Sequence, residues 1–199
     1  MTYKQKSEIK GSKIYTNGAI GFSGPPGTGK SVIGKLIAEA LNIPFFDLDD
    51  LIAEKAGVKT TKEIINNDGL PKFKQIQHLC LREIFQKNSQ KYVLSFGGHT
   101  TYSDCDVELI AKNKALVEKH LFNICLIPSD DVNEVVDILW PRQNDGKRET
   151  GSDTSDKYRL YVQDLIPQYI EVADLVIFTH NSSVDDIVTI IMNNIMRRP

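Results

Sequence analysis

Apolar and polar positions along the chain fall into two alternating rhythms. Short apolar runs occur at Gly18–Phe22 (GAIGF), Pro44–Leu48 (PFFDL), Tyr92–Phe96 (YVLSF), Phe122–Ile127 (FNICLI) and Leu175–Thr179 (LVIFT). Each has the length of a buried strand. Between them the spacing turns helical. Ser31–Leu41 (SVIGKLIAEAL) repeats apolar residues at Val32, Leu36, Ile37 and Ala40, and further helices are expected at 49–57, 71–88, 104–119, 131–139, 156–170 and 183–196. Buried strands alternating with helices predict an α/β fold, three α/β/α layers around a five-stranded parallel sheet. Ligands of such sheets bind beyond the carboxyl ends of the strands, so the residues following each run are the ones to inspect.

One stretch breaks the alternation. Pro141–Asp156 (PRQNDGKRETGSDTSD) contains almost nothing to bury. A loop of this length in a compact domain points to a functional segment, and residues 141–157 are expected to form a mobile lid. Residues 1–15 read as a polar arm. No internal repeat is present, and all 199 residues are expected to form a single domain.

Composition narrows the class. The chain is 41% hydrophobic and 25% charged, with 24 Lys and Arg against 26 Asp and Glu for a net charge of −2. That balance excludes a nucleic-acid wrapper or a polybasic membrane binder steered by net charge. No apolar run reaches the roughly 18–20 residues of a membrane span, and the polar N-terminus lacks the apolar core of a secretory signal. The expectation is a cytoplasmic protein: Cys80, Cys105 and Cys125 lie without metal-ligand spacing, their odd number would leave one unpaired, and they read as reduced, structural thiols.

The strongest chemical signal is Gly24-Pro25-Pro26-Gly27-Thr28-Gly29-Lys30-Ser31, which satisfies G-x-x-x-x-G-K-[ST] and lies between an apolar strand and an amphipathic helix. Its glycines let backbone N–H groups curl around phosphate oxygens, and the helix N-terminus adds positive potential. Lys30 is expected to bridge the β- and γ-phosphates of ATP, and Ser31 to ligate Mg²⁺. AAA-type ATPases share the GPPGTGK variant, but no strand here is followed by their Asp-Glu pair.

From the second strand onward the chain resembles the shikimate kinase family, small P-loop kinases related in fold to the nucleoside-monophosphate kinases. Phe45-Phe46-Asp47-Leu48-Asp49 matches a strand ending in Asp-x-Asp, Gly97-Gly98-His99 a three-glycine turn, and Pro167-Gln168-Tyr169-Ile170-Glu171-Val172-Ala173-Asp174 a largely structural P-x-Y-x-E-x-A-D stretch. The resemblance implies that Asp47 helps hold the Mg²⁺ water shell and that Asp49 binds and orients an acceptor hydroxyl. A bare helix-capping role is the alternative for these carboxylates. It further implies that segment 49–90 binds the acceptor, with Lys74, Gly97, Gly98 and His99 shaping the pocket. Arg142 aligns with an arginine that packs on adenine, and Arg148 with the lid arginine that closes on the γ-phosphate. Lys147 and Lys157 are further basic candidates. His78 and His120 read as ordinary helix residues.

The acceptor side departs from the family pattern. Two arginines that clamp the shikimate carboxylate are Lys74 and Leu165 here, a following glutamate is Gln77, and a glycine is His99. Lysine lacks the rigid two-pronged fork with which arginine grips a carboxylate. The expected function is ATP-dependent phosphorylation of a hydroxyl on a small acceptor, shikimate first, with Lys74 and a displaced base such as Arg159 or Lys72 holding the carboxylate. The alternatives are another polyol, sugar acid or nucleotide as acceptor, or a non-catalytic nucleotide-binding regulator. A nucleoside-monophosphate kinase is disfavoured because residues 50–90 hold one arginine, Arg82. A monomer using neither nucleic acid nor membrane is expected.

Overall fold

In a computed structural model, which describes residues 8–9, 15, 18–88, 91–102, 106–143 and 154–196, the apolar runs become the centre of one sheet. The strands are β1 (Glu8–Ile9), β2 (Ala19–Ser23), β3 (Phe45–Asp47), β4 (Val93–Ser95), β5 (Leu121–Ile127) and β6 (Leu175–Phe178). They lie in the order β1-β6-β5-β2-β4-β3. Strands β2 to β6 are parallel, as expected. The sixth strand corrects the five-stranded expectation: Glu8 and Ile9, from the segment read as an arm, pair antiparallel with Val176 and Leu175. Two residues in a polar context carry no periodicity from which to read a strand.

Period-two alternation along the strands builds the layers. On β5, Ile124 and Leu126 pack with Ile33 and Ile37 of α1 (Lys30–Leu41). The same cluster includes Ile187 and Ile191 of α7 (Val184–Ile195). Their neighbours Cys125 and Ile127 face the other way, toward α5 (Val132–Gln143) and α6 (Ser155–Glu171). Leu94 of β4 joins the second face farther along, with α2 (Leu48–Ala56), α3 (Thr61–Lys87) and α4 (Val107–His120). The result is the expected three layers.

Two helical boundaries differ from expectation. Helix α3 begins ten residues earlier than the sequence reading and bends at Gly69, whose φ of 83° and ψ of 166° interrupt it just before Pro71. Its start is fixed by a capping box, with the Glu63 carboxylate accepting from the Thr60 amide and hydroxyl at 3.1 Å each. The segment read as a loop from Pro141 is shorter at both ends, because α5 continues to Gln143 and α6 starts at Ser155. Pro141 sits within the last turn of α5 without ending it. Lys147 and Arg148, Cys105, and most of the arm lie outside the described residues.

The P-x-Y-x-E-x-A-D stretch is structural, as expected. Tyr169 is buried against the second face, and the Asp174 carboxylate accepts from the Asn123 amide at 2.8 Å, tying α6 to β5. Cys80 and Cys125 are buried free thiols, and burial pushes Cys125 up to about 12, a value that keeps it protonated and inert.

Candidate active site

The carboxyl ends of β2, β3 and β4 lie side by side: Asp47 pairs in register with Ser95, and Ser95 with Phe22. The loop from Gly24 to Gly29 leaves β2 and feeds directly into α1, so its backbone curls at the helix N-terminus. Gly24 has φ 130°, and a Cβ there would stand 2.1 Å from the Leu126 carbonyl oxygen. Only glycine fits so close to β5. Inside the loop, the Thr28 hydroxyl donates to Pro25 O at 3.0 Å, and the Lys30 ammonium donates to Gly24 O and Pro25 O at 2.9 Å each. Those bonds hold the Lys30 charge over the cradle.

Asp47 caps a helix and also meets the cradle serine. Its Oδ1 caps α2 by accepting from the Asp49 amide at 3.1 Å, while Oδ2 accepts from the Ser31 hydroxyl at 2.7 Å. A third oxygen joins them, since Ser95 Oγ lies 3.3 Å from Ser31 Oγ. Ser95 escaped the sequence reading. Its signal was a lone polar residue near the end of an otherwise apolar strand.

Asp49, two residues on, is solvent-exposed at the edge of this cluster. Desolvation pushes its carboxyl up to about 6, with the Asp47 charge adding to the rise and Lys30 opposing it. Gly97 borders it closely: a methyl group at that position would stand 3.7 Å and 3.8 Å from the two Asp49 oxygens. Asp49 and Gly97 therefore meet as the sequence required. Gly98 begins a single 3-10 turn, Gly98–Thr100, that carries the chain away from this point.

The remaining acceptor candidates are placed elsewhere. His99 turns its ring edge-on to Phe73, with centroids 6.5 Å apart. Lys74 is fully buried, and its ammonium donates to the carbonyls of His99 and Tyr102. Leu165 is also fully buried, in the apolar cluster between α5, α6 and the sheet. Arg159 donates to Asn133 of α5, and Lys72 is exposed. On the nucleotide side, Arg142 donates to Gly27 O at 3.0 Å, which sets it against the phosphate cradle. Gln77, noted above only as a departure from the family glutamate, forms a buried polar group behind Gly97 with Thr100 and Asn113, which the sequence gave no reason to single out.

A phosphate-binding loop, a hydroxyl–carboxylate pair beside its lysine and a second carboxylate facing a glycine turn, all on this sheet, define a P-loop kinase of α/β fold. The shikimate kinase family model matches residues 26–196, and the chain belongs to that family. The shikimate kinase of Chlorobaculum tepidum is 30% identical over 164 residues, covering 82% of this chain and 81% of that protein. That of Rhodococcus jostii is 38% identical over 87 residues, or 44% of this chain, and the match spans only 50% of the relative's length. A solved structure, the shikimate kinase from Acinetobacter baumannii in complex with shikimate, shares the fold with a TM-score of 0.72 at 24% identity, covering 92% of this chain and 97% of that one. No helix among the described residues is long and apolar enough to cross a membrane.

Proposed function

We propose that this protein transfers the γ-phosphoryl group of ATP to a hydroxyl of a small cyclic polyol acid, and that shikimate is the acceptor. The observation that carries this reading is the convergence of Lys30, Ser31, Asp47 and Asp49 at one end of the sheet. Backbone N–H groups of Gly24–Ser31 hold the phosphates, and Lys30 neutralises charge on the β- and γ-oxygens. Asp49 takes the proton of the acceptor hydroxyl as its oxygen bonds to the γ-phosphorus. The bond from that phosphorus to the bridging oxygen breaks, and ADP departs.

The donor set near Ser31 fits Mg²⁺. A hydroxyl and a carboxylate 2.7 Å apart are hard oxygen donors, and this ion takes few protein ligands, completing its shell with phosphate oxygens and water. Ser31 would bind it directly and Asp47 through water, and it would supply neutralisation of phosphate charge. Among the described residues no group of three or more His, Cys, Asp and Glu forms a competing metal site. Arg142 stands ready beside the cradle, and Arg148, with the rest of the lid, would close over the nucleotide and exclude water. The protein is read as a monomer acting in the cytoplasm.

One observation favours a second acceptor class. Lys74 and Leu165, which stand where the family has its carboxylate clamp, are both interior. A polyol without a carboxylate would need neither.

The test is ADP release from Mg²⁺-ATP, comparing shikimate with polyols, sugar acids and nucleoside monophosphates, with Lys30→Ala as control. Stimulation by shikimate, lost by at least about a hundredfold in the variant, supports the reading. Stimulation by another compound alone replaces the acceptor, and an active Lys30→Ala protein overturns the mechanism.

A further inference from the structure

Behind the acceptor turn the interior is polar where the rest of the core is apolar. Lys74 and Gln77 of α3, Thr100 and Thr101 of the turn region, and Asn113 of α4 are all essentially buried. Their hydrogen bonds converge on one short piece of chain. Lys74 donates to His99 O and to Tyr102 O, the latter at 2.8 Å, and so bridges both sides of the turn. Gln77 Nε2 donates to the Thr100 hydroxyl at 3.1 Å, and Asn113 Nδ2 to Thr100 O at 2.9 Å. Asn113 is itself held from α3, its Oδ1 lying 2.7 Å from His78 Nδ1.

From this arrangement we infer that Lys74 is a positioning residue, which pins Gly97–Tyr102 together with Gln77 and Asn113 and so holds Gly97 against Asp49. It does not bind an acceptor carboxylate. An ammonium group offers donors only, and here they meet inward-facing carbonyls. To reach an acceptor, the side chain would have to abandon buried carbonyls and leave them unsatisfied, a costly exchange. Phe73 supports the same turn through its edge contact with His99, so the Phe73-Lys74 pair as a whole serves the loop. The consequence is specific: loss of Lys74 displaces Gly97 from Asp49 and weakens every acceptor alike, charged or neutral.

The kinetic arm of the test rests on the kinase reading above; the exchange arm does not. Wild type and Lys74→Met are compared with shikimate and its methyl ester, and amide hydrogen exchange is followed in peptides spanning residues 97–102. The inference expects kcat/KM to fall by about tenfold or more and by the same factor for both acceptors, with KM for ATP unchanged. Exchange in 97–102 should accelerate while peptides of α1 and α7 keep their protection. Loss confined to shikimate would make Lys74 a carboxylate ligand, and unchanged exchange in 97–102 would also overturn the inference. If wild type phosphorylates neither compound, the acceptor reading fails and exchange alone decides the role of Lys74. Should Lys74→Met not fold, Gln77→Met must loosen the same peptides, in smaller measure, or the inference fails.

Discussion

In the proposed reaction, Asp49 is the side chain that meets the acceptor hydroxyl. Its carboxyl titrates near 6 because desolvation and the Asp47 charge disfavour the anion, so at neutral pH it is ionised yet more basic than an ordinary aspartate. Turnover should therefore fall as pH drops through about 6, with a single protonation on the acid limb of the kcat/KM profile. The stability effect has the opposite sense. Because the folded-state value lies above the unfolded one, the native protein binds the extra proton between about 4 and 6, and the disfavoured charge costs stability in full only above that window. Asp49→Asn should lose on the order of 10²–10⁴ in turnover. It should also melt at a higher temperature than wild type at pH 7.5, with the gain shrinking by pH 4. Calorimetry at the two pH values checks this, and an Asn variant that melts lower at pH 7.5 contradicts it. The convergence of Lys30, Ser31, Asp47 and Asp49 was legible in the sequence because their motifs fix spacing to a strand end. The destination of Lys74 was not. The sequence supplies a long cation at that position, but only the folded turn shows that carbonyls lie within its reach.

At the scale of elements, the parallel strands were legible as short apolar runs, whereas β1 and the first turns of α3 were not. Asn66, Asn67, Asp68 and Gly69 are residues that favour turns over helix, and they mask the helix that Thr60 and Glu63 begin. The same glycine explains the bend. Gly69 holds a conformation that side chains with a Cβ rarely adopt, so Gly69→Ala should destabilise the protein by about 1–3 kcal/mol without altering KM for ATP. Chemical denaturation measures this directly. At the cradle, Gly24→Ala drives a methyl group into the Leu126 carbonyl, and nucleotide binding by titration calorimetry should be lost with it.

Across the whole molecule, the nucleotide end and the acceptor end were built under different constraints. The nucleotide end depends on backbone geometry that the P-loop sequence dictates. The acceptor end depends on which side chains the second face of the sheet keeps inside, and there Lys74 and Leu165 have become interior. Leu165 packs with Tyr158, Val162 and Tyr169, so Leu165→Arg should not rebuild a carboxylate clamp. It should instead bury an unpaired charge and destabilise the fold by several kcal/mol, visible as a lowered denaturation midpoint. Improved shikimate affinity in that variant would show that the α6 face opens to the pocket.

The most direct test of the central claim is phosphorus NMR of wild type and Asp49→Ala incubated with Mg²⁺-ATP and shikimate. A new phosphomonoester resonance that grows in step with ADP in wild type, and is absent with Asp49→Ala while ATP still binds, is the predicted result. ADP accompanied only by inorganic phosphate, or an undiminished ester signal from the variant, would contradict it.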